Sequence, residues 1–382
     1  MKKLPIITLF LVCCVTSMTF GANGDGYSVN ADHTDMEKAA VKAAEKTVEK
    51  ITEELEEKAV EKAELKAKPP EKGWEPTKVN FFVFVLDIDN IDDAAQNFSA
   101  NVFVRLFWKD KRLVHDGSVK TIPLTEIWNP DVIIANRVGI LPKSMPEVVR
   151  VAPDGTVNYM QRYTGQLSQP LKLSQFPFDQ HRFTIQFVSP GSTPQQVQFV
   201  PAPPKGDVGD VKIFGGAMYH ELSLPDWKIT KYAVQAHTYK PIGDMEVAGF
   251  ALEFTAKRYA LYYLWQVIVP LVFIVIMSWG AFYIDPTNVG AQIGVATSSM
   301  LTLIAYRFML GNLIPRLPYM TRLDYFTLGS TTLVFLTLME VIVTTNLALR
   351  AREKIAQRID LWCRFAFPAA FILWSTWSLI FR

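Results

Sequence analysis

Hydrophobic residues follow two different patterns in the two parts of this chain. Between residues 74 and 258 they come in short runs, rich in β-branched and aromatic side chains and separated by turn residues. From residue 259 to residue 382 they form long runs, and a helix that crosses a bilayer needs roughly 20 such residues. The pattern therefore predicts a β-rich soluble part followed by a membrane part.

The short runs predict an antiparallel β-sandwich over residues 74–258. In places apolar and polar residues alternate, as in a strand with one buried face, and the segment Pro153-Asp154-Gly155 is typical of a tight turn. Several short strands at this spacing favour an all-β sandwich of the immunoglobulin type. The predicted strands are Val79–Val85, Asn101–Trp108, Gly155–Tyr163, Arg182–Val188 and Ala248–Thr255.

The long runs predict an all-α bundle of four membrane-spanning helices, at residues 259–284, 288–313, 325–349 and 361–381. The short link between the third and fourth helices is basic, and short basic loops are typical of the cytoplasmic side. Its charged residues are Arg350, Arg352, Lys354 and Arg358. We therefore predict a multi-pass protein of the cell inner membrane, with the sandwich in the periplasm or outside and the C-terminus also outside.

Residues 1–22 have the layout of a secretory signal peptide. Lys2 and Lys3 precede a short apolar run, and the small residues Gly21 and Ala22 follow it. The alternative, a first membrane anchor, needs a longer apolar run.

Residues 23–73 form a spacer and a helix dense in Ala, Glu and Lys. Val41, Val48 and Leu55 recur every seven residues, and Ile51 lies between them. This spacing predicts an amphipathic helix, which either forms a short coiled coil or stays solvated without a partner.

Composition narrows the chemistry that the chain can perform. It has 382 residues and a formal net charge of +2, so nothing favours nucleic acid as a partner. Cys13 and Cys14 lie in the predicted signal peptide and Cys363 in an apolar run, so no disulfide framework is predicted. The histidines are scattered, and no cluster of titratable groups is visible in the soluble part. We expect no metal, no cofactor and no enzymatic activity.

The second predicted membrane helix is the least lipid-like, because Gly, Ser and Thr interrupt its apolar residues. A set of its residues recurs at alternating spacings of three and four, so that they share one stripe along the helix. The stripe is small and polar at its inner end and apolar further out: Ala291, Gly294, Ser298, Leu301, Ala305, Phe308 and Asn312. Such stripes around an axis would line a water-filled pore with an apolar constriction, whereas the alternative is a packing face between helices.

Two charged residues, Arg307 and Glu340, fall within predicted membrane segments, where charge usually marks function or a buried partner. Arg307 lies off the stripe, near the outer end, and is expected to face a neighbouring helix or to snorkel. For both residues we favour structural roles, and the sequence does not identify the partner of Glu340.

Several motifs, in order along the chain, resemble those of the pentameric ligand-gated ion channels, also called Cys-loop receptors. The resemblance runs from about Val79 to the C-terminus and is greatest for the bacterial branch, in particular its amine-gated member. The motifs are Trp128-Asn129-Pro130-Asp131, Phe176-Pro177-Phe178-Asp179, Tyr262-Tyr263-Leu264-Trp265, Met300-Leu301-Thr302, Ile314-Pro315-Arg316-Leu317-Pro318-Tyr319 and Ala366-Phe367-Pro368.

The resemblance implies a homopentamer, in which four further copies of the chain complete a channel for permeant ions in membrane lipid. It implies an agonist, a small molecule or the proton, between adjacent sandwiches beneath a capping loop at His237–Glu246, with His237 and Tyr239 as contacts. It also implies coupling where the sandwich meets the membrane. The implied coupling residues are Asp179, Arg258, Pro315, Arg316 and Asp89, the last in an acidic turn with Asp87, Asp92 and Asp93.

The chain also departs from the family pattern. Its two loop cysteines are replaced, the first near Gln169 and the second by Phe183, as in bacterial members. Ser189-Pro190-Gly191 stands where many members place an aromatic residue of the agonist cage, which weakens the case for a cationic amine. Residues Thr287–Gln292 at the inner mouth carry no charge, and the nearest charged residue is Asp285. Its negative charge favours cation conduction. The alternative is a membrane-anchored binding or sensor module, or a transporter, without channel activity.

Overall fold

The computed structural model describes residues 32–70, 75–202, 215–219, 221–311 and 317–381. The predicted signal peptide lies outside the described residues, as do Asn312, Pro315 and Arg316. The chain forms two compact units, Met1–Glu64 and Leu65–Arg382.

In the first unit the described residues form most of one long helix, α1, at Asp32–Ala67. The predicted amphipathic helix is therefore present. Its apolar residues Val41, Val48, Ile51 and Leu55 are 44–58% exposed in the single chain. Whether copies of the helix pair through this stripe stays a prediction.

The second unit begins with a β-sandwich, and each predicted strand is present. A seven-stranded sheet has the order β3-β5-β6-β2-β1-β8, with β9 also paired to β1, and a four-stranded sheet has the order β10-β11-β7-β4. The strands are β1 Thr77–Asp92, β2 Asn97–Lys109, β3 Lys120–Pro123, β4 Ile133–Ile134, β5 Val148–Val151, β6 Thr156–Ser168, β7 Gln180–Ser189, β8 Val197–Pro201, β9 Gly216–Met218, β10 Trp227–Tyr239 and β11 Val247–Arg258.

Alternation along the strands explains how the two sheets pack. In β2 every second side chain is buried, from Phe98 to Trp108, because successive side chains point to opposite faces. Aromatic residues fill the space between the sheets: the Phe250 ring stacks on those of Phe81 and Phe187, with centroid distances of 4.1 and 4.8 Å. The aromatic runs seen in the sequence are therefore the core of the sandwich.

Four helices follow, each long and apolar enough to cross a bilayer: α2 Leu261–Tyr283, α3 Val289–Leu310, α4 Arg322–Leu349 and α5 Glu353–Phe381. In α2 a π-helical turn, Leu264–Ile268, precedes Pro270, whose ring removes one backbone donor from the helical ladder. The last residues of α5, Trp377–Phe381, are also π-helical.

Two helix starts differ from the predictions. Helix α4 begins at Arg322 rather than at residue 325, because Thr321 and Asp324 form a capping box. Helix α5 begins at Glu353 rather than at residue 361, so Lys354 and Arg358 belong to the helix and not to the link. The hydrophobic pattern marked only the apolar part of α5, whereas the charged first turns are helical as well.

Candidate pore and coupling site

A buried ion pair lies where the sandwich meets the helices. The Arg258 guanidinium donates from Nε to Asp179 Oδ1 at 2.9 Å and from Nη2 to Asp179 Oδ2 at 3.1 Å. Nη2 also donates to Asp93 at 2.9 Å, and His181 Nε2 lies 2.7 Å from Asp179 Oδ2. Arg258 and Asp179 are only 4% and 1% exposed. The sequence-predicted contact between Asp179 and Arg258 is therefore present, whereas its role in gating stays a prediction.

Aromatic rings surround this ion pair. The guanidinium carbon of Arg258 lies 4.1 Å from the Trp227 ring centroid and 4.9 Å from that of Phe176, distances at which cation–π attraction operates. Phe176 in turn packs edge-on against Tyr263 of α2, with centroids 4.7 Å apart. One arginine, at the end of β11 and three residues before α2, thus joins the sandwich loop to the first membrane helix.

The electrostatics favour the charged forms of both partners. Burial acts to raise the pKa of Asp179, but hydrogen bonds from His181 and Arg258 and the charge of Arg258 outweigh it, so this pKa lies below its usual value. Burial acts to lower the pKa of Arg258, but Asp179 and Asp93 raise it further than burial lowers it. The pair therefore stays ionised at neutral and at mildly acidic pH.

The acidic segment before β2 differs from the prediction. Asp87, Asp89 and Asp92 lie within β1, and the turn begins only at Asp93. In the described part of the chain, Asp93 and not Asp89 is the acid of this segment that contacts Arg258. The Asp87 carboxylate instead accepts a hydrogen bond from the Ser223 backbone N–H at 2.8 Å. The sequence showed the acids but not the end of β1 at Asp92, which leaves Asp93 in the turn that reaches Arg258.

Asp87 and Asp89 interact with each other on β1. Partial loss of hydration, together with the neighbouring Asp87 carboxylate, raises the pKa of Asp89. At Asp87 the same loss of hydration is outweighed by hydrogen bonds from Ser223 and others, which leaves its pKa below the usual value. The pair thus holds one carboxyl that takes up a proton more readily than an ordinary aspartate.

A second contact joins the sandwich to the segment before α4. The backbone N–H of Leu173 donates to the Tyr319 hydroxyl at 2.9 Å. Tyr319 is the last residue of the motif that begins at Ile314, and Pro315 and Arg316 of that motif lie outside the described residues. No coupling role was predicted for Tyr319, His181 or Trp227. For His181 a signal existed, since it lies two residues after Asp179 and strand residues two apart share a face.

One hydrogen bond and one buried ring hold the loop at the two positions that were predicted to replace cysteines. The Gln169 side-chain oxygen accepts a hydrogen bond from the Thr184 backbone N–H at 3.1 Å. Phe183, fully buried, stacks on Phe254 with a centroid distance of 5.1 Å. The two positions that were predicted to replace the cysteines therefore anchor the loop by an amide and by packing.

The predicted agonist loop is shorter than expected. Strand β10 continues through Tyr239 and β11 begins at Val247, so the loop comprises residues 240–246 and His237 belongs to β10, opposite Gly249. A salt bridge of 2.7 Å between Lys240 and Glu246 ties the two ends of the loop together. Trp128, 7% exposed, packs edge-on against Trp108 in the core.

The stripe of α3 lies on the face of the helix that is not packed in the single chain. Its described members are all exposed: Ala291, Gly294, Ser298, Leu301, Ala305 and Phe308. The buried side chains of α3 lie on another face: Gln292, Ala296, Ser299, Leu303 and Leu310. Leu301 and Phe308 are 69% and 75% exposed in the single chain. In a membrane such side chains contact lipid, another subunit or the water of a pore.

The two charges within the bundle have helix neighbours. Arg307 donates to the Thr331 hydroxyl of α4 at 3.2 Å, which confirms that it faces a neighbouring helix. Glu340 of α4 faces Asp360 of α5, and Cys363 lies beside them. The carboxylate oxygens of both acids are buried and accept no hydrogen bond from a described donor. Arg364 does not neutralise them by direct contact, because it donates to the Phe282 carbonyl and stacks on Tyr283.

Two family models match this chain. The model of the neurotransmitter-gated ion-channel ligand binding domain matches residues 52–258, and that of the neurotransmitter-gated ion-channel transmembrane region matches residues 267–356. The chain therefore belongs to the neurotransmitter-gated ion-channel family. It is similar to a protein of Gloeobacter violaceus named proton-gated ion channel, with 27% identity over 313 residues that cover 80% of this chain and 84% of the relative.

Membership in this family confirms the predicted fold class, an extracellular β-sandwich joined to four membrane-spanning helices. The chain is a subunit of a ligand-gated ion channel and a multi-pass membrane protein with an extracellular domain. A homopentamer through which ions permeate is consistent with the family.

Proposed function

We propose that the chain forms a homopentameric, cation-conducting channel in which the exposed stripe of α3 lines the pore. The exposure of the whole described stripe, opposite a packed face of the same helix, carries this proposal. Leu301 and Phe308 then form apolar rings that close the pore by excluding water, and Ser298 keeps the inner half hydrated. The inner membrane and an external C-terminus are part of the proposal.

Gating is proposed to pass through the buried cluster around Arg258. An agonist that favours a different arrangement of the sandwiches moves the loop that carries Phe176 and Asp179. Arg258 pairs with Asp179 of this loop and with Asp93 of the turn after β1. Because Arg258 also lies close to α2, the movement reaches the helices through contacts that stay charged. Tyr319 provides a second link, to the segment that leads into α4. Pro315 and Arg316 belong to that segment and are proposed to move with it.

Cation conduction is supported by charge at the inner end of α3. Asp285 is exposed, and hydrogen bonds from the backbone and the hydroxyl of Thr287 hold its pKa below the usual value. Five copies of Asp285 would give a negative ring near the inner mouth, which attracts cations.

The proton is the agonist that we propose. The similar protein of Gloeobacter violaceus is named proton-gated, and an aromatic residue is missing at Ser189-Pro190-Gly191, which disfavours a cationic amine. The pair Asp87 and Asp89 supplies a carboxyl with a raised pKa in the extracellular part. A small molecule bound beneath residues 240–246, against Tyr239 and His237, is the second candidate, because His237 Nδ1 is buried without a described hydrogen-bond partner.

Currents from the purified protein in planar bilayers test this proposal. A drop in pH on the extracellular side is expected to open unitary currents. In a KCl gradient their reversal potential should lie near the equilibrium potential of K⁺. A reversal potential near that of Cl⁻ contradicts cation selectivity, and currents that respond to an amine but not to acid contradict proton gating. A protein that binds protons or ligands without any current is instead a membrane-anchored sensor.

A further inference from the structure

Helix α1 carries an apolar stripe that the single chain does not cover. Between residues 41 and 55 its large apolar side chains are 44–58% exposed: Val41, Val48, Ile51 and Leu55. Together with Ala44 they recur at alternating spacings of three and four residues, which is the seven-residue repeat of a coiled-coil seam. The stripe therefore fits a second helix with the same repeat.

The residues that flank the stripe also suit a neighbouring helix. In a parallel coiled coil, Thr47 of one helix faces Thr52 of the next, because these residues occupy the two positions beside the seam. Their hydroxyls donate to the carbonyls of Ala43 and Val48 in their own helix, at 2.8 and 2.7 Å. The threonine methyl groups can therefore be covered by a neighbour without leaving a hydroxyl unpaired.

Charged side chains do not oppose this contact. Most of them lie at the outer positions of the repeat: Lys42, Lys46, Glu49, Lys50 and Glu53. Glu54, which flanks the seam, faces Ala59 of the next helix, so that two like charges do not meet there. Lys58 takes the next position of the seam and ends the stripe. The contact thus has a defined extent, residues 41–55, which is roughly 21 Å at 1.5 Å per residue.

The apolar residues favour a bundle of more than two helices. Two-stranded parallel coils combine a β-branched residue at the first seam position with leucine at the second, whereas isoleucine at the second position favours larger bundles. Here Val48 stands at the first position and Ile51 at the second. In a ring of subunits related by rotation, such as the proposed pentamer, all copies of α1 point the same way along the axis, as a parallel coil requires.

The end of α1 is fixed to the sandwich of its own subunit. The last residues of the helix, from Leu65 onward, belong to the second unit. The backbone N–H of Trp128 donates to the Leu65 carbonyl at 2.9 Å, and Arg112 Nη2 donates to the Lys68 carbonyl at 3.1 Å. Asp110, which is fully buried, accepts from Arg112 Nε at 2.9 Å. A stripe of about two heptads is short for free helices, but attachment to one assembly raises their effective concentration.

We propose that the α1 helices of the five subunits form one parallel coiled coil through residues 41–55. Val48 and Ile51 lie in the middle of its seam, and Thr47 of each helix packs beside Thr52 of the next. The coiled coil holds the five subunits together outside the membrane part. This inference rests on the proposed homopentamer, but it does not depend on the pore, the ion selectivity or the agonist.

Oxidative cross-linking of the purified full-length protein tests the proposal. The natural cysteines are removed by Cys13→Ser, Cys14→Ser and Cys363→Ser, and Thr47→Cys is combined with Thr52→Cys. Within one helix these two positions are separated by a rise of roughly 7.5 Å, whereas the Cβ atoms of a disulfide lie about 4 Å apart. Each disulfide between them therefore joins two subunits. With a mild oxidant we expect a ladder of linked chains that extends to five.

Two further variants act as controls. Lys46→Cys with Glu53→Cys moves each cysteine by one residue to an outer position, and this pair should cross-link roughly tenfold more slowly, because its thiols do not meet in the bundle. Val48→Gln with Ile51→Gln, added to the Thr47 and Thr52 cysteines, removes the apolar seam but keeps good helix formers. This variant should slow the ladder to the rate of the outer pair.

Three results would overturn the proposal. Equal rates for the inner and outer cysteine pairs would mean that the helices are solvated and meet at random. A ladder that stops at two chains would mean pairwise coils, and an unchanged ladder in the Val48→Gln, Ile51→Gln variant would mean that the seam is not the contact. Native mass spectrometry of the unoxidised sample counts the subunits. An intact pentamer without a ladder contradicts this inference alone, whereas another number of subunits contradicts the proposed homopentamer and this inference with it.

Discussion

Arg258 and Asp360 are both buried ionisable side chains, but their surroundings are opposite. Arg258, 4% exposed, contacts Asp179 and Asp93 and lies over the rings of Trp227 and Phe176. Asp360, 1% exposed, faces another acid and accepts no hydrogen bond from a described donor. Arg258 is thus neutralised at the junction between the sandwich and the helices. Asp360 lies within the helical bundle without an ion pair to any described residue.

The difference teaches where a charge can be removed. Loss of a buried charge that has good partners leaves those partners unpaired, which is strongly destabilising. Replacement of one of two facing buried acids by a neutral side chain leaves no such partner unpaired. We therefore expect opposite effects from replacing the two side chains by neutral ones.

Replacing Arg258 should have the largest effect. Arg258→Gln leaves Asp179 and Asp93 buried without their cation, at a cost of about 3–5 kcal/mol, so that assembly or gating fails. The yield of pentamer from size-exclusion chromatography and the agonist-evoked current measure this loss. The neighbouring Lys257 is exposed, and Lys257→Gln serves as the control that removes one positive charge from the same strand. Equal behaviour of the two variants would show that the ion pair is not the coupling contact.

Leu301 and Leu303 form a matched pair on the pore helix, because Leu301 is 69% exposed and Leu303 is fully buried. Leu301→Ala should open a leak current at neutral pH with little loss of stability, since its side chain forms the apolar ring of the closed pore. Leu303→Ala should instead lower the free energy of unfolding by about 2–5 kcal/mol, because it leaves a cavity, and should not leak. Single-channel recording and thermal unfolding separate the two, and a tight closed state in Leu301→Ala contradicts the gate.

Asp89 tests the proposed proton response. Its raised pKa means that the folded protein favours protonated Asp89, so this preference is present at low pH and is lost as the pH rises through the pKa. Asp89→Asn imitates the protonated form and should shift half-activation to a higher pH, by up to roughly one unit. The exposed Asp116→Asn is the control. A midpoint that stays in place in Asp89→Asn removes this residue from the proton response.

The coupling pair should resist the same acidification. The pKa of Asp179 is lowered, so the stability that its charge contributes is present above about pH 3.9, the usual value, and is lost only as the pH falls through the lower folded value. Activation by mild acid therefore leaves this ion pair intact.

Replacing Asp360 should have a small effect of the opposite sign to that of Arg258. Asp360→Asn replaces one of two facing buried acids, neither of which accepts a hydrogen bond from a described donor, with a neutral amide, so the melting temperature of the pentamer should rise, by roughly 2–4 °C. Glu353→Gln, at the exposed start of the same helix, should not change it. A clear drop in melting temperature for Asp360→Asn would mean that the acid has a partner that its described surroundings do not show.

The sequence predicted the parts of this fold that depend on local patterns. Each predicted strand is present, because alternating and aromatic runs such as that around Phe81 place every second side chain in the core. The four membrane helices are present for the same reason. Their starts were missed where the signal is a cap or a charged turn, at Thr321 and at Glu353, since neither is hydrophobic.

The candidate site was predictable only where a motif identified its members. Asp179 and Arg258 were found through the resemblance of their motifs, and they meet. The partner Asp93, 165 residues from Arg258 along the chain, was not chosen, because the sequence does not show that β1 ends at Asp92 and leaves Asp93 in the turn beside the arginine. Asp360 was missed as the neighbour of Glu340, because only the packing of α4 against α5 brings them together.

Cysteine accessibility on α3 tests most directly that the exposed stripe faces water in the assembled channel. Ser298 is exposed and its neighbour Ser299 is fully buried, so Ser298→Cys and Ser299→Cys, in a Cys363→Ser background, form a matched pair. A charged methanethiosulfonate reagent applied to open channels should block the current of Ser298→Cys and leave that of Ser299→Cys unchanged. Block of Ser299→Cys alone, or of neither variant when both conduct, would contradict the pore assignment.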